Sequence, residues 1–114
     1  MDFYSTMIVC KEYARIARLE LLFLISDVKC EVLPLQNFNF RIKVDRSPVK
    51  YVSCSIPPDV NRNINISRKP VFETALMDDD GLIYDETLGY EDVRRFETIY
   101  EVADEIKRIC SIVV

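Results

Sequence analysis

The segment Phe38-Asn39-Phe40-Arg41-Ile42-Lys43-Val44-Asp45 decides the fold. Its apolar residues, Phe38, Phe40, Ile42 and Val44, alternate with Asn39, Arg41, Lys43 and Asp45. Successive side chains on a strand point to opposite faces, so this is a strand with one greasy face and one wet face. Such a strand belongs in an antiparallel sheet covered on one side. Turn residues lie on both flanks, Gln36-Asn37 before it and Asp45-Arg46-Ser47-Pro48 after it. Beyond them, Lys29–Leu35 reads as a strand or edge interrupted by Pro34. Val49–Ile56 reads as a third strand with Val52, Cys54 and Ile56 on the core side.

Further out the period changes. Met7, Cys10, Ala14, Ala17, Leu21 and Leu24 recur at spacings of three and four, which predicts a helix over about Phe3–Ile25. Val9, Tyr13, Ile16 and Phe23 are expected to widen that stripe, with Lys11, Glu12, Arg15 and Arg18 opposite. The last residues, Leu21–Ile25, also suit the start of a strand. At the other end, Thr98-Ile99-Tyr100-Glu101 has the form of a capping box. It precedes a stripe of Ile99, Val102, Ile106 and Ile109, flanked by Ala103 and Cys110, with Asp104 and Arg108 expected to pair across one turn.

Pro57-Pro58-Asp59 ends the third strand, and residues 57–70 read as one long polar loop. Val71–Met77 and Leu82–Asp85 flank Asp78-Asp79-Asp80-Gly81, a hairpin signal in which Gly81 suits a positive φ. Leu88-Gly89-Tyr90 turns the chain again, and Val93–Phe96 reads as a short strand. The expected architecture is one α+β domain over residues 1–114. It has two layers, a single antiparallel sheet of five or six strands with the N- and C-terminal helices packed on one face.

Composition narrows the chemistry. The 114 residues contain no histidine, so imidazole-based triads and histidine-ligated zinc are excluded. With only two glycines, both in turns, there is no phosphate-cradling loop, and no cofactor is expected. Cys10, Cys30, Cys54 and Cys110 show no paired spacing and read as reduced core residues. The N-terminus lacks a basic leader region and the longest uncharged run is short, so a cytoplasmic protein with no membrane role is expected.

Charge is unevenly spread. The net charge is −4, yet residues 38–69 carry seven basic and two acidic groups, whereas residues 70–114 carry four basic and twelve acidic ones. The leading expectation is a non-enzymatic protein-binding module, adaptor-, immunity- or chaperone-like. It would dock another protein, of basic character, through its charged surface. The candidate contacts are Asp85, Glu86, Glu91 and Asp92 on the acidic side and Arg41 and Lys43 on the basic side. A homodimer is also expected, because the stripe from Met7 to Leu24 has the spacing to pack on a second copy.

Two alternatives come from other classes. The acids between Asp78 and Asp92 suggest a metal-dependent hydrolase or nuclease, although their spacing does not match a calcium loop. The basic strip of Asn39, Arg41, Lys43 and Lys50, with Arg62, Arg68 and Lys69, suggests nucleic acid. Phe38 and Phe40 alternate away from that strip, which leaves it without stacking aromatics.

Overall fold

The computed structural model describes residues 3–57 and 71–111. The predicted strand at Phe38 is the second of six. In order the elements are α1 (Phe3–Leu24), β1 (Glu31–Val32), β2 (Asn39–Arg46), β3 (Val49–Ser55), β4 (Phe72–Met77), β5 (Leu82–Ile83), β6 (Arg94–Phe96) and α2 (Ile99–Ser111). A single 3-10 turn, Glu86–Leu88, lies between β5 and β6.

The sheet is antiparallel throughout, in the order β1-β2-β3-β4-β5, with β6 also paired to β4. Leu76 and Met77 pair with β5, while Phe72, Glu73 and Thr74 pair with β6. The two short strands therefore share one edge of β4, end to end. Register fixes which residues share a face. Phe40 lies opposite Cys54 and Cys54 opposite Thr74; Ile42 lies opposite Val52 and Val52 opposite Leu76. All six are essentially inaccessible to water. Cys10, Ala14, Ala17 and Leu21 of α1 and Ile99, Val102, Ile106 and Ile109 of α2 are buried in the same cluster. Both helices thus cover one face, as the half-wet strand requires.

Local chemistry explains the joints. At the β2–β3 connection Asp45 has φ +47, the Ser47–Pro48 bond is cis, and the register shifts between Lys43 and Arg46. Asn37 takes φ +56 in the tight turn where Gln36 pairs with Asn39. In the β4–β5 turn the Asp78 carboxylate accepts the Asp80 and Gly81 amides at 2.7 and 3.0 Å, and Gly81 has φ +139. Gly89, at φ +82, ends the 3-10 turn in a left-handed conformation that side chains disfavour.

Three expectations at the elements need correction. The stretch Lys29–Leu35 contributes only the two residues of β1, because Pro34 has no amide to continue the ladder. Leu21–Ile25 completes the first helix and starts no strand: α1 runs to Leu24, and the Ile25 amide still bonds the Leu21 carbonyl at 3.0 Å. Val9, Tyr13, Ile16 and Phe23 do not widen the buried stripe of α1. All four are exposed, Phe23 at 82%. The buried inner face instead carries small Ala14 and Ala17 alongside Cys10 and Leu21. The expected loop at 57–70 lies, apart from Pro57, outside the described residues.

Candidate functional site

Three regions have the side chains to do chemistry or binding: the acidic stretch from Asp78 to Asp92, the open face of the sheet, and the junction of α2 with β4 and β6.

The acidic stretch is dispersed by its own turns. Asp78 closes the hairpin, and Asp79 pairs with Lys50. Asp85 caps the 3-10 turn, accepting from the Thr87 hydroxyl at 2.6 Å and from the Thr87 and Leu88 amides at 3.0 and 3.4 Å. These bonds, that of the Thr87 hydroxyl foremost, hold the Asp85 carboxyl below its ordinary pKa. Glu86, Glu91 and Asp92 are exposed. Among the described residues no group of three or more Cys, Asp or Glu is placed to hold a metal ion. The structure therefore spreads the four acidic candidates, Asp85, Glu86, Glu91 and Asp92, over a capped turn and its exit.

The open sheet face joins Arg41 and Lys43. Lys43 lies opposite Tyr51, which lies opposite Met77; Arg41 lies opposite Ser53, which lies opposite Ala75. The Arg41 guanidinium sits 4.6 Å from the Tyr51 ring centroid. Phe40 is indeed core, but Tyr51 supplies the aromatic that the strand's own alternation lacks. It went unseen because strand register, and not spacing within one strand, brings it there. Lys50 does not join this strip, since its ammonium is taken by Asp79. Arg62, Arg68 and Lys69 lie outside the described residues.

The third region centres on a residue that the sequence pattern missed. Glu105 is the only charged side chain among the described residues that is buried, at 4% exposure. Its Oε2 accepts from the Tyr90 hydroxyl at 2.9 Å and from Arg94 at 2.9 Å, and its Oε1 accepts from Arg108 at 2.6 Å. Tyr90 is fully buried and shares a 2.8 Å hydrogen bond with Thr74. Burial, joined by the negative charge of Glu105, pushes the Tyr90 hydroxyl above the ordinary phenol pKa, against the opposing bond to Thr74. Arg108 also donates to the Leu88 carbonyl at 2.6 Å. The expected Asp104–Arg108 pair is replaced by this one, because Glu105, one turn back on the inner side, offers a buried acceptor.

An open groove of about 550 Å³ lies over this cluster, lined by Arg94, Arg95, Phe96, Glu101, Glu105 and Arg108. Every buried polar side-chain atom among the described residues has a partner. A carboxylate held by two arginines and a phenol is a satisfied network, and it ties the 3-10 turn, β4, β6 and α2 together. The signal for it was Glu105's position, three residues after Val102 and four before Ile109, on the apolar stripe itself.

Charge segregation along the chain is thus partly undone in space. Lys50 of the basic stretch meets Asp79 of the acidic one, while the pairs of Arg95 with Glu73 and of Arg94 and Arg108 with Glu105 lie within the acidic stretch. The larger anomaly is apolar. Of the eleven exposed large hydrophobic residues among those described, eight lie on α1: Tyr4, Ile8, Val9, Tyr13, Ile16, Leu19, Leu22 and Phe23. Of the stripe expected to bind a second copy, Met7 to Leu24, Cys10, Ala14, Ala17 and Leu21 are buried in the chain's own core and Leu24 packs against it. No helix among the described residues is long and apolar enough to cross a membrane. Comparison with known proteins found no matching family, no similar curated protein and no similar solved structure.

Proposed function

We propose that this protein is a non-catalytic protein-binding module that docks through the outer face of α1. The observation that carries the reading is the concentration of exposed apolar side chains there. Ile8 is 66% exposed, Leu19 51% and Phe23 82%, on a helix whose other side is already buried. A helix apolar on both sides is stable in water when both sides are covered, and an exposed contiguous patch of this kind marks an interface. Charged neighbours on the same surface, Glu12 and Arg15, supply orientation. Cys30, Cys54 and Cys110 form no disulfide, in keeping with a reducing, cytoplasmic setting.

The test is site-specific photocrosslinking in cells that naturally make the protein. A photoreactive residue at Leu19 or Phe23 is expected to form protein adducts. The same residue at Tyr100, also exposed but on α2, is expected to form none. Absence of adducts from both α1 positions would remove the reading.

A second reading has one observation in its favour: Tyr51 shares the open sheet face with Arg41 and Lys43, the combination on which unpaired bases stack. Retention on a polyanion column that weakens steeply with salt is its expected outcome. Flow-through at low salt would end it.

A further inference from the structure

The outer face of α1 has an internal symmetry that names its occupant. Read along the face turn by turn, the residues are Tyr4, Ile8, Glu12, Arg15, Leu19 and Phe23, at spacings of 4, 4, 3, 4 and 4. At 3.6 residues per turn these six form one stripe about 100° wide, with Ser5 and Leu22 on its margins, on the side of the helix away from Cys10, Ala14, Ala17 and Leu21. Apart from Ser5 and Leu22 on the margins, the stripe reads the same in chemistry from either end: two apolar residues, a charge, the opposite charge, two apolar residues. From this palindrome we infer that α1 pairs antiparallel with α1 of a second copy across a two-fold axis, burying the outer stripes of both. The inference rests on the docking reading above and specifies its partner.

Register follows from the charges. With the axis between Glu12 and Arg15, every residue meets the one whose number completes 27: Tyr4 meets Phe23, Ile8 meets Leu19, and Glu12 meets Arg15. Within one chain Arg15 Nε already donates to both Glu12 oxygens at 3.1 and 3.2 Å. In the pair the two carboxylates and two guanidiniums close into one ring at the centre. A parallel arrangement would set Glu12 on Glu12 and Arg15 on Arg15, so the central charges reject it. A lone charged layer in an apolar helix seam commonly fixes register and orientation in this way. Two-fold pairing also closes on itself.

Size sets the strength. Twenty-two residues span about 33 Å, and a helix contact stripe is roughly 10 Å wide. That is less than the ~800 Å² per partner of a standard stable interface. The pair is therefore a reversible dimer whose population depends on concentration.

The test uses the full chain and light scattering from about 1 µM to about 500 µM. Wild type is expected to move from monomer to dimer mass over that range. Glu12→Arg and Arg15→Glu each place like charges at the centre and are expected to weaken self-association by about tenfold or more. Both side chains are more than half exposed, so the fold is retained, which circular dichroism checks. An equimolar mixture of the two single variants puts opposite charges together again and is expected to form the heterodimer. The double swap is expected to restore the homodimer. A wild-type chain that stays monomeric at the highest concentration, or single variants that associate like wild type, would overturn the inference. So would a chain that sediments with neutral phosphatidylcholine vesicles while remaining monomeric. Failure here combined with crosslinks from Leu19 to another protein would leave the docking reading standing and remove only the second copy.

Discussion

The two helices cover the same sheet face by opposite means. α2 presents Ile99, Val102, Ala103, Ile106 and Ile109 inward, and its outward residues are mostly charged. Its one anomaly is a charge on the wrong side, Glu105, and the surrounding residues satisfy it completely. α1 presents small residues inward and large apolar ones outward, where they stay exposed. A buried charge with a full set of partners is a local solution belonging to the fold. An exposed apolar stripe on a helix with a finished inner face is not needed by the fold at all. The comparison teaches that function should be sought where the core does not account for the residue.

Core substitutions should make the inner faces look alike. Leu21→Ala on α1 and Ile106→Ala on α2 each remove a side chain with no exposure and should cost about 2–5 kcal/mol by urea denaturation. Phe40→Ala beneath them belongs in the same class at about 3–5 kcal/mol. A small effect at Leu21 would mean that α1 is not held by its inner stripe, and the contrast between the helices would collapse.

The buried charge sharpens the contrast from the α2 side. Glu105→Ala leaves the Arg94 and Arg108 guanidiniums and the Tyr90 hydroxyl without their shared acceptor, and about 3 kcal/mol of stability should go with it. Both arginines are more than a third exposed and regain water, which keeps the loss near the lower end for such pairs. Tyr90→Phe removes one hydroxyl between Thr74 and Glu105 and should cost about 1–3 kcal/mol. Unchanged stability in both variants would make the network incidental to the fold and return Glu105 to the pool of functional candidates.

Helix ends give a smaller effect. The Thr98 hydroxyl accepts the Glu101 amide at 3.2 Å, and the Glu101 carboxylate accepts the Glu97 and Thr98 amides at 2.9 and 3.4 Å. Thr98→Ala should cost about 1 kcal/mol. α1 carries no acidic residue in its first turn and no basic residue in its last. It therefore depends on side-chain packing more than α2 does.

Much of this was legible in the sequence because it obeys local periods. The alternation from Phe38 to Val44, the capping box at Thr98 and the inner stripes of both helices each need only one segment to be read. What escaped needed two. Tyr51 reaches Arg41 through strand register, and Glu105 finds Arg94 and Tyr90 through the return of β6 along β4. Part of the exposed apolar surface of α1 was in plain view as Val9, Tyr13, Ile16 and Phe23. It was assigned to the core because apolar residues on a helix are ordinarily buried by the same chain. Their exposure in the folded chain marks those residues as surplus to the core.

The smallest stability effect is the most informative. Leu19→Asp places a charge where water already reaches, so the monomer should change by no more than about 0.5 kcal/mol, as surface substitutions do. An inner-face change such as Leu21→Ala should instead move the unfolding midpoint by several times that amount. If Leu19→Asp proves as damaging as Leu21→Ala in dilute solution, the outer stripe is part of the fold. If it is silent in denaturation yet abolishes crosslinking from Phe23, stability and association have been separated on two sides of one helix. That separation is what a docking surface requires and what a core helix cannot show.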